Sequence, residues 1–167
     1  MKVSNPQPEA AITGYVQRIL VIENYRVTNP FTLPLFANGS PTLLFQTSGG
    51  TIDDLPGNNL TLFGQTVFPR TLTIKESFTL IAYFFKPTAL YDLFGVSAQE
   101  LTDNPISLDL LSPGITAALK DKLLNADSTR SRIGLLNNYI LSLAVRNKAI
   151  SQLMMYAVNK ISNNTSL

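Results

Sequence analysis

The chain has 167 residues, a net charge of +2 and 45% hydrophobic residues, with no cysteine and no histidine. That length suits one domain, or one domain with an appendage, and can bury a substantial core without cross-links. The missing residue types exclude disulfides, thiol chemistry, the Ser–His–Asp triad and the usual His-based metal site.

The small net charge hides an asymmetry. Residues 1–110 carry six Lys/Arg against nine Asp/Glu, and residues 111–167 carry seven against two. A basic C-terminal part is compatible with nearby nucleic acid, but amphipathic helices that display solvated cations account for it more simply. Residues 1–12 are polar and contain proline, unlike a signal peptide. The longest apolar run lies inside 80–85, too short to span a bilayer. A soluble cytoplasmic protein with no membrane partner is expected.

Taken in order, residues 1–11 read as a tail. Thr13–Tyr25 is β-prone, and Phe31–Phe36 and Thr42–Thr47 are two further strands. Ala37-Asn38-Gly39-Ser40 between them is a hairpin turn, since Asn-Gly accepts the positive φ values of a tight turn. Ser48–Asn59, with its glycines and the pair Asp53-Asp54, reads as an exposed loop. Leu60–Phe68 and Arg70–Ile74 are strands split by Pro69.

Phe78–Phe85 is the strongest strand signal. Phe78, Leu80, Ala82 and Phe84 share one face, and Thr79, Ile81, Tyr83 and Phe85 share the other. Both faces are apolar, so the strand should be covered on both sides. Pro87 ends it, because proline cannot donate to a ladder. Several short strands without intervening helices mean an antiparallel sandwich or barrel.

Thirteen of the fifteen Phe and Tyr residues lie at or before Phe94. That surplus reads either as plain core packing or as the lining of an internal ligand cavity. The cavity reading assigns Phe36, Phe45, Tyr83 and Phe85 to its wall and Arg70 to a polar anchor.

Helix follows. Leu90, Leu93 and Phe94 cluster at helical spacing, with Gly95 as the stop. Ser97 and Glu100 form a capping box. Ser112-Pro113 opens a helix through Ile115, Leu119 and Leu123. Ser128 or Thr129 caps the next, where Ile133, Leu136, Ile140 and Leu143 make a stripe fit for a helix pair, within the domain or between two chains. Ile150, Leu153, Met154, Ala157, Val158 and Ile161 form a third stripe. No cluster of residues supports acid–base or nucleophilic chemistry, and no metal or other cofactor is expected.

Phe85-Lys86-Pro87-Thr88-Ala89-Leu90, then Leu93-Phe94-Gly95, Glu100-Leu101-Thr102-Asp103 and Leu108-Asp109-Leu110, resembles the N-terminal regulatory domain of AraC-type transcriptional regulators. Tyr15, Asn38-Gly39 ahead of Leu43-Leu44-Phe45, Gly64-Gln65 and Pro69 agree with it. Thr88 stands where that family usually has glycine, and Val16 where it often has tryptophan. Ala157–Ile161 is similar to the first helix of the DNA-binding domain in such regulators.

The resemblance implies an α+β chain with an antiparallel, cupin-like β-barrel followed by helices. Residues 12–111 would form the sensor, and 112–147 a dimerisation segment. Residues 148–167 would start a DNA-binding domain whose helix-turn-helix units are not in this chain. The expected function is non-catalytic effector sensing and dimerisation, with a homodimer as the assembly and a small-molecule effector. DNA would be contacted only through the helix-turn-helix domain. A stand-alone small-molecule carrier is the alternative.

Overall fold

The computed structural model describes residues 1–35 and 40–165. Its strands are Lys2–Ser4 (β1), Val16–Asn24 (β2), Phe31–Leu35 (β3), Thr42–Gln46 (β4), Thr51–Ile52 (β5), Leu55–Pro56 (β6), Leu60–Phe63 (β7), Arg70–Ile74 (β8), Phe78–Phe85 (β9) and Ile106–Ser107 (β10). The helices are Ala89–Phe94 (α1), Pro113–Asn125 (α2) and Thr129–Thr165 (α3). Phe36 and the Asn38-Gly39 turn lie outside the described residues.

All pairings are antiparallel, in a six-stranded sheet of order β1-β2-β9-β4-β7-β10 and a four-stranded sheet of order β3-β8-β5-β6. The expected α+β class with antiparallel strands before helices is what the chain adopts. A closed barrel is not: among the described residues no strand pairing joins the two sheets. They pack face to face as an open sandwich, and helices cover the outer face of the larger sheet.

Strand β9 sits between β2 and β4, and its two faces feed two different cores. Phe78, Leu80 and Ala82 join Ile22, Leu44, Phe63, Leu72 and Ile74 between the sheets. Ile81, Tyr83 and Phe85 join Phe45, Leu90, Leu93, Leu123, Leu136 and Ile140 under the helices. The side-chain period of 2 makes one strand a shared wall of both layers.

Helix ends are tied down by named groups. Gly95 stops α1 in the left-handed conformation at φ 69°, its N–H donating to Tyr91 O at 2.8 Å. The 97–100 capping box forms, with the Ser97 N–H donating to Glu100 Oε2 at 3.0 Å and the Glu100 N–H to Ser97 Oγ at 3.2 Å. At the start of α3 the Ser131 N–H donates to Ser128 Oγ at 3.1 Å.

Three further features depart from the expectation, the first being that residues 1–11, read as a tail, hold strand β1 paired with β2. The loop 48–59 holds a short hairpin, β5–β6, turned by Asp53 and Asp54 at φ 49° and 65°. Both aspartates occupy the positive-φ positions that a two-residue turn requires. Helix α3 also runs 37 residues without a break, where two helices were expected to meet near 147. No proline and no glycine follows Gly134, so nothing in the chain stops it. Among the described residues no helix is long and apolar enough to cross a membrane.

Candidate functional site

A cavity of about 210 Å³ lies between the sheets. Its origin is a volume deficit. On the inner face of the larger sheet, Leu20, Ala82 and Leu44 stand side by side across β2, β9 and β4. The middle position carries only a methyl group, and Leu33, Pro34 and Leu35 of β3 roof the space left above it. At the other end of the sandwich Phe31 and Phe78 close the gap, with ring centroids 5.0 Å apart. Pro34 is accommodated because β3 is an edge strand, pairing only with β8.

The remaining wall is Leu80, Phe84, Phe63 and Gly64, with three hydroxyl residues, Ser40, Thr42 and Thr66. Gly64 is obligatory there: a Cβ would meet Leu101 Cβ at 2.6 Å and Ala98 O at 2.8 Å. Ser40 Oγ donates to Gln17 Oε1 at 3.2 Å, and Thr42 Oγ1 donates to the Ser40 carbonyl at 3.1 Å. Among the described residues no ionisable side chain lines the space.

Arg18 marks its rim. A β-bulge between Val16 and Arg18 makes Arg18 the cross-strand partner of Phe84. Bulges re-aim side chains in this way. The guanidinium stacks 4.3 Å above the Phe84 ring while staying exposed.

The expected pocket residues are elsewhere. Phe45, Tyr83 and Phe85 lie on the opposite face of the larger sheet, fully buried under the helices. Phe85 packs edge-on to Phe94 at 5.8 Å. Tyr83 donates its hydroxyl toward Asn137 Oδ1 at 2.6 Å, with the Ile133 carbonyl at 3.2 Å as a second acceptor, and burial pushes its pKa upward. Arg70 also lies outside the cavity. Its Nη2 donates to the Asp103 carbonyl at 2.6 Å, and its Nη1 sits 3.6 Å from Asp53 Oδ2. Those bonds hold the 102–104 turn against the hairpin loop, a structural duty. Phe36 lies outside the described residues.

The missed residues are the even-numbered ones of β9 and their neighbours. A single alanine amid seven larger residues was the available signal for a space.

The helical stripe needs a similar correction. Leu136 and Ile140 are fully buried in this chain's own core, and Ile133 and Leu143 pack against it. The stripe's partner is therefore the sheet. Beyond residue 147 the same helix changes character. Asn147 Nδ2 donates to the carbonyls of Asp92 and Leu93, capping the last turn of α1 where α3 leaves the body. From there Ile150, Leu153, Met154, Val158 and Ile161 are uncovered, Leu153 being 70% exposed.

Residues 4–107 match a family model described as a domain of unknown function (DUF6597). The match spans β2 to β10, hence both sheets and the cavity wall, and ends before α2. No curated protein and no solved structure matches the chain.

Proposed function

The chain belongs to the DUF6597 domain family, and we propose that within it this protein is the effector-sensing and dimerisation module of an AraC-type transcriptional regulator. In this reading the sandwich is its cupin-like container, the cytoplasm its setting and binding, not catalysis, its work. The observation that carries the reading is the double use of β9. Leu80, Ala82 and Phe84 face the cavity, while Ile81, Tyr83 and Phe85 face the helices. A ligand that shifts this strand shifts the bed on which α3 lies.

The projecting half of α3 is the output in this account. Ile150, Met154, Ala157 and Ile161 continue, at spacings of four, three and four, the seam that Leu136, Ile140 and Leu143 begin. That is the spacing of a two-helix seam, and a second copy of this chain supplies the matching helix. Such a run of uncovered apolar side chains marks an interaction surface.

The cavity supports a stand-alone carrier equally well. The uncovered helix favours the regulator, because a carrier has no use for it.

A thermal-shift library screen on the native chain and on Ala82→Leu tests the proposal, with sedimentation on each hit. The account expects hits that stabilise the native chain, fail on the filled variant, and change its association state. Hits that leave association unchanged favour the carrier, and an absence of cavity-dependent hits removes both readings.

A further inference from the structure

We infer that the cavity takes an uncharged, mainly apolar molecule the size of one substituted benzene ring, bearing a single hydroxyl or carbonyl that meets the Thr66 hydroxyl. The inference rests on the sensor reading above and names the chemistry of its effector.

Size comes first. An apolar cavity of about 150 Å³ admits benzene, so one of about 210 Å³ holds such a ring with a few further atoms. A sugar-like ligand of the same volume fails on chemistry. Each of its hydroxyls would need a partner, because a polar group buried without one is costly. The wall offers three hydroxyl side chains, and two of them already donate, Ser40 to Gln17 and Thr42 to the Ser40 carbonyl.

Thr66 is the exception. The residue is only 7% exposed and lines the cavity, and its hydroxyl, accessible and not sealed in the core, takes part in none of the hydrogen bonds among the described residues. One hydroxyl still free to donate, in an otherwise leucine- and phenylalanine-rich wall, favours a ligand with one acceptor of its own.

Charge is disfavoured by the same wall. Among the described residues no lining side chain is ionisable, and the guanidinium of Arg18, the cross-strand partner of Phe84, is held 4.3 Å over that ring. A carboxylate would sit in the apolar interior unpaired, or would have to draw Arg18 off its ring.

The test is isothermal titration of the native chain with p-cresol, toluene and p-toluate, repeated on Thr66→Val and Ala82→Leu. p-Cresol should bind about five- to tenfold more tightly than toluene, as one hydrogen bond allows. p-Toluate should not bind. Thr66→Val keeps the cavity's shape and should bring p-cresol down to the level of toluene, leaving toluene unchanged. Ala82→Leu should abolish both. Should that variant fail to fold, the Thr66→Val comparison decides alone.

p-Toluate binding more tightly than p-cresol overturns the inference, as does a p-cresol to toluene ratio unaltered by Thr66→Val. If none of the three binds while another compound stabilises the native chain but not Ala82→Leu, the ligand class falls and the sensor reading stands. If no compound distinguishes those two proteins, both fall.

Discussion

Tyr83 on β9 and Asn137 on α3 are joined by a 2.6 Å hydrogen bond between the phenol and Oδ1, in the layer between sheet and helix. The bond is surrounded by apolar side chains, so its loss leaves a buried acceptor unsatisfied. Tyr83→Phe should cost about 1–3 kcal/mol, measured by urea denaturation. An unchanged midpoint would mean that the pair does not dock the helix.

The same burial predicts an alkaline limit. Burial raises the pKa of Tyr83 above the usual phenol range and that of Tyr139 to about 12. A raised folded value means that stability is complete below the unfolded pKa near 10 and is lost as pH rises through the folded values. Phenolate absorbance should therefore show two of the six tyrosines ionising only as the chain unfolds. Six tyrosines titrating together near pH 10 in a folded chain would contradict this.

Glu23 sets the acid side. Its carboxylate accepts the Thr129 hydroxyl and that of Tyr25, with Lys2 and Arg132 nearby, which together hold its pKa below 4.5 against the opposing effect of burial. A depressed value stabilises the fold above the unfolded pKa and is lost as pH falls through the folded one. Melting curves from pH 6 to 3 should show a smaller acid loss in Glu23→Gln than in the native chain. Parallel curves would mean that the contact is not maintained in solution.

The two halves of α3 should respond oppositely to the same substitution. Leu136→Glu buries an unpaired charge in the core and should unfold the chain. Leu153→Glu lies on the exposed half and should change stability by no more than about 0.5 kcal/mol, while reducing self-association. Circular dichroism and sedimentation separate these outcomes. An unfolded Leu153→Glu would show that the projecting half is part of the domain's core.

Selective DNA binding is not expected from this chain. Base readout needs an element seated in the major groove, and the resemblance assigns that role to units outside it. In that reading Arg146, Lys148 and Lys160 contribute phosphate contacts, which weaken at about 150 mM salt. A mobility shift selective for one promoter fragment under those conditions would contradict the division of labour.

Much of this was legible in the sequence. The two apolar faces of β9, the Gly95 stop, the Ser97 box and the start of α3 each follow from local chemistry, and each forms. Which layer each face meets was not legible. A period of 2 groups Phe45 with Leu43, and Tyr83 with Phe85, but pairing register and chain path decide whether a group meets helices or a second sheet. Phe45, Tyr83 and Phe85 therefore lie on the far side of the sheet from the cavity. Strands β1 and β10 have three and two residues and carry no periodic signal. The unbroken α3 is not legible because the stripe from Ile150 to Ile161 reads as a helix of its own, and the resemblance places a domain boundary at 148.

In the proposed sensor, occupation of the cavity is felt by α3. Methyl-labelled protein titrated with the best-stabilising compound from the screen tests it directly by nuclear magnetic resonance. Leu44 and Leu80 in the cavity wall and Ile133 and Ile140 on α3 should shift together with one midpoint. Shifts confined to Leu44 and Leu80, with Ile133 and Ile140 unmoved at saturation, would contradict it and leave a container without a lever.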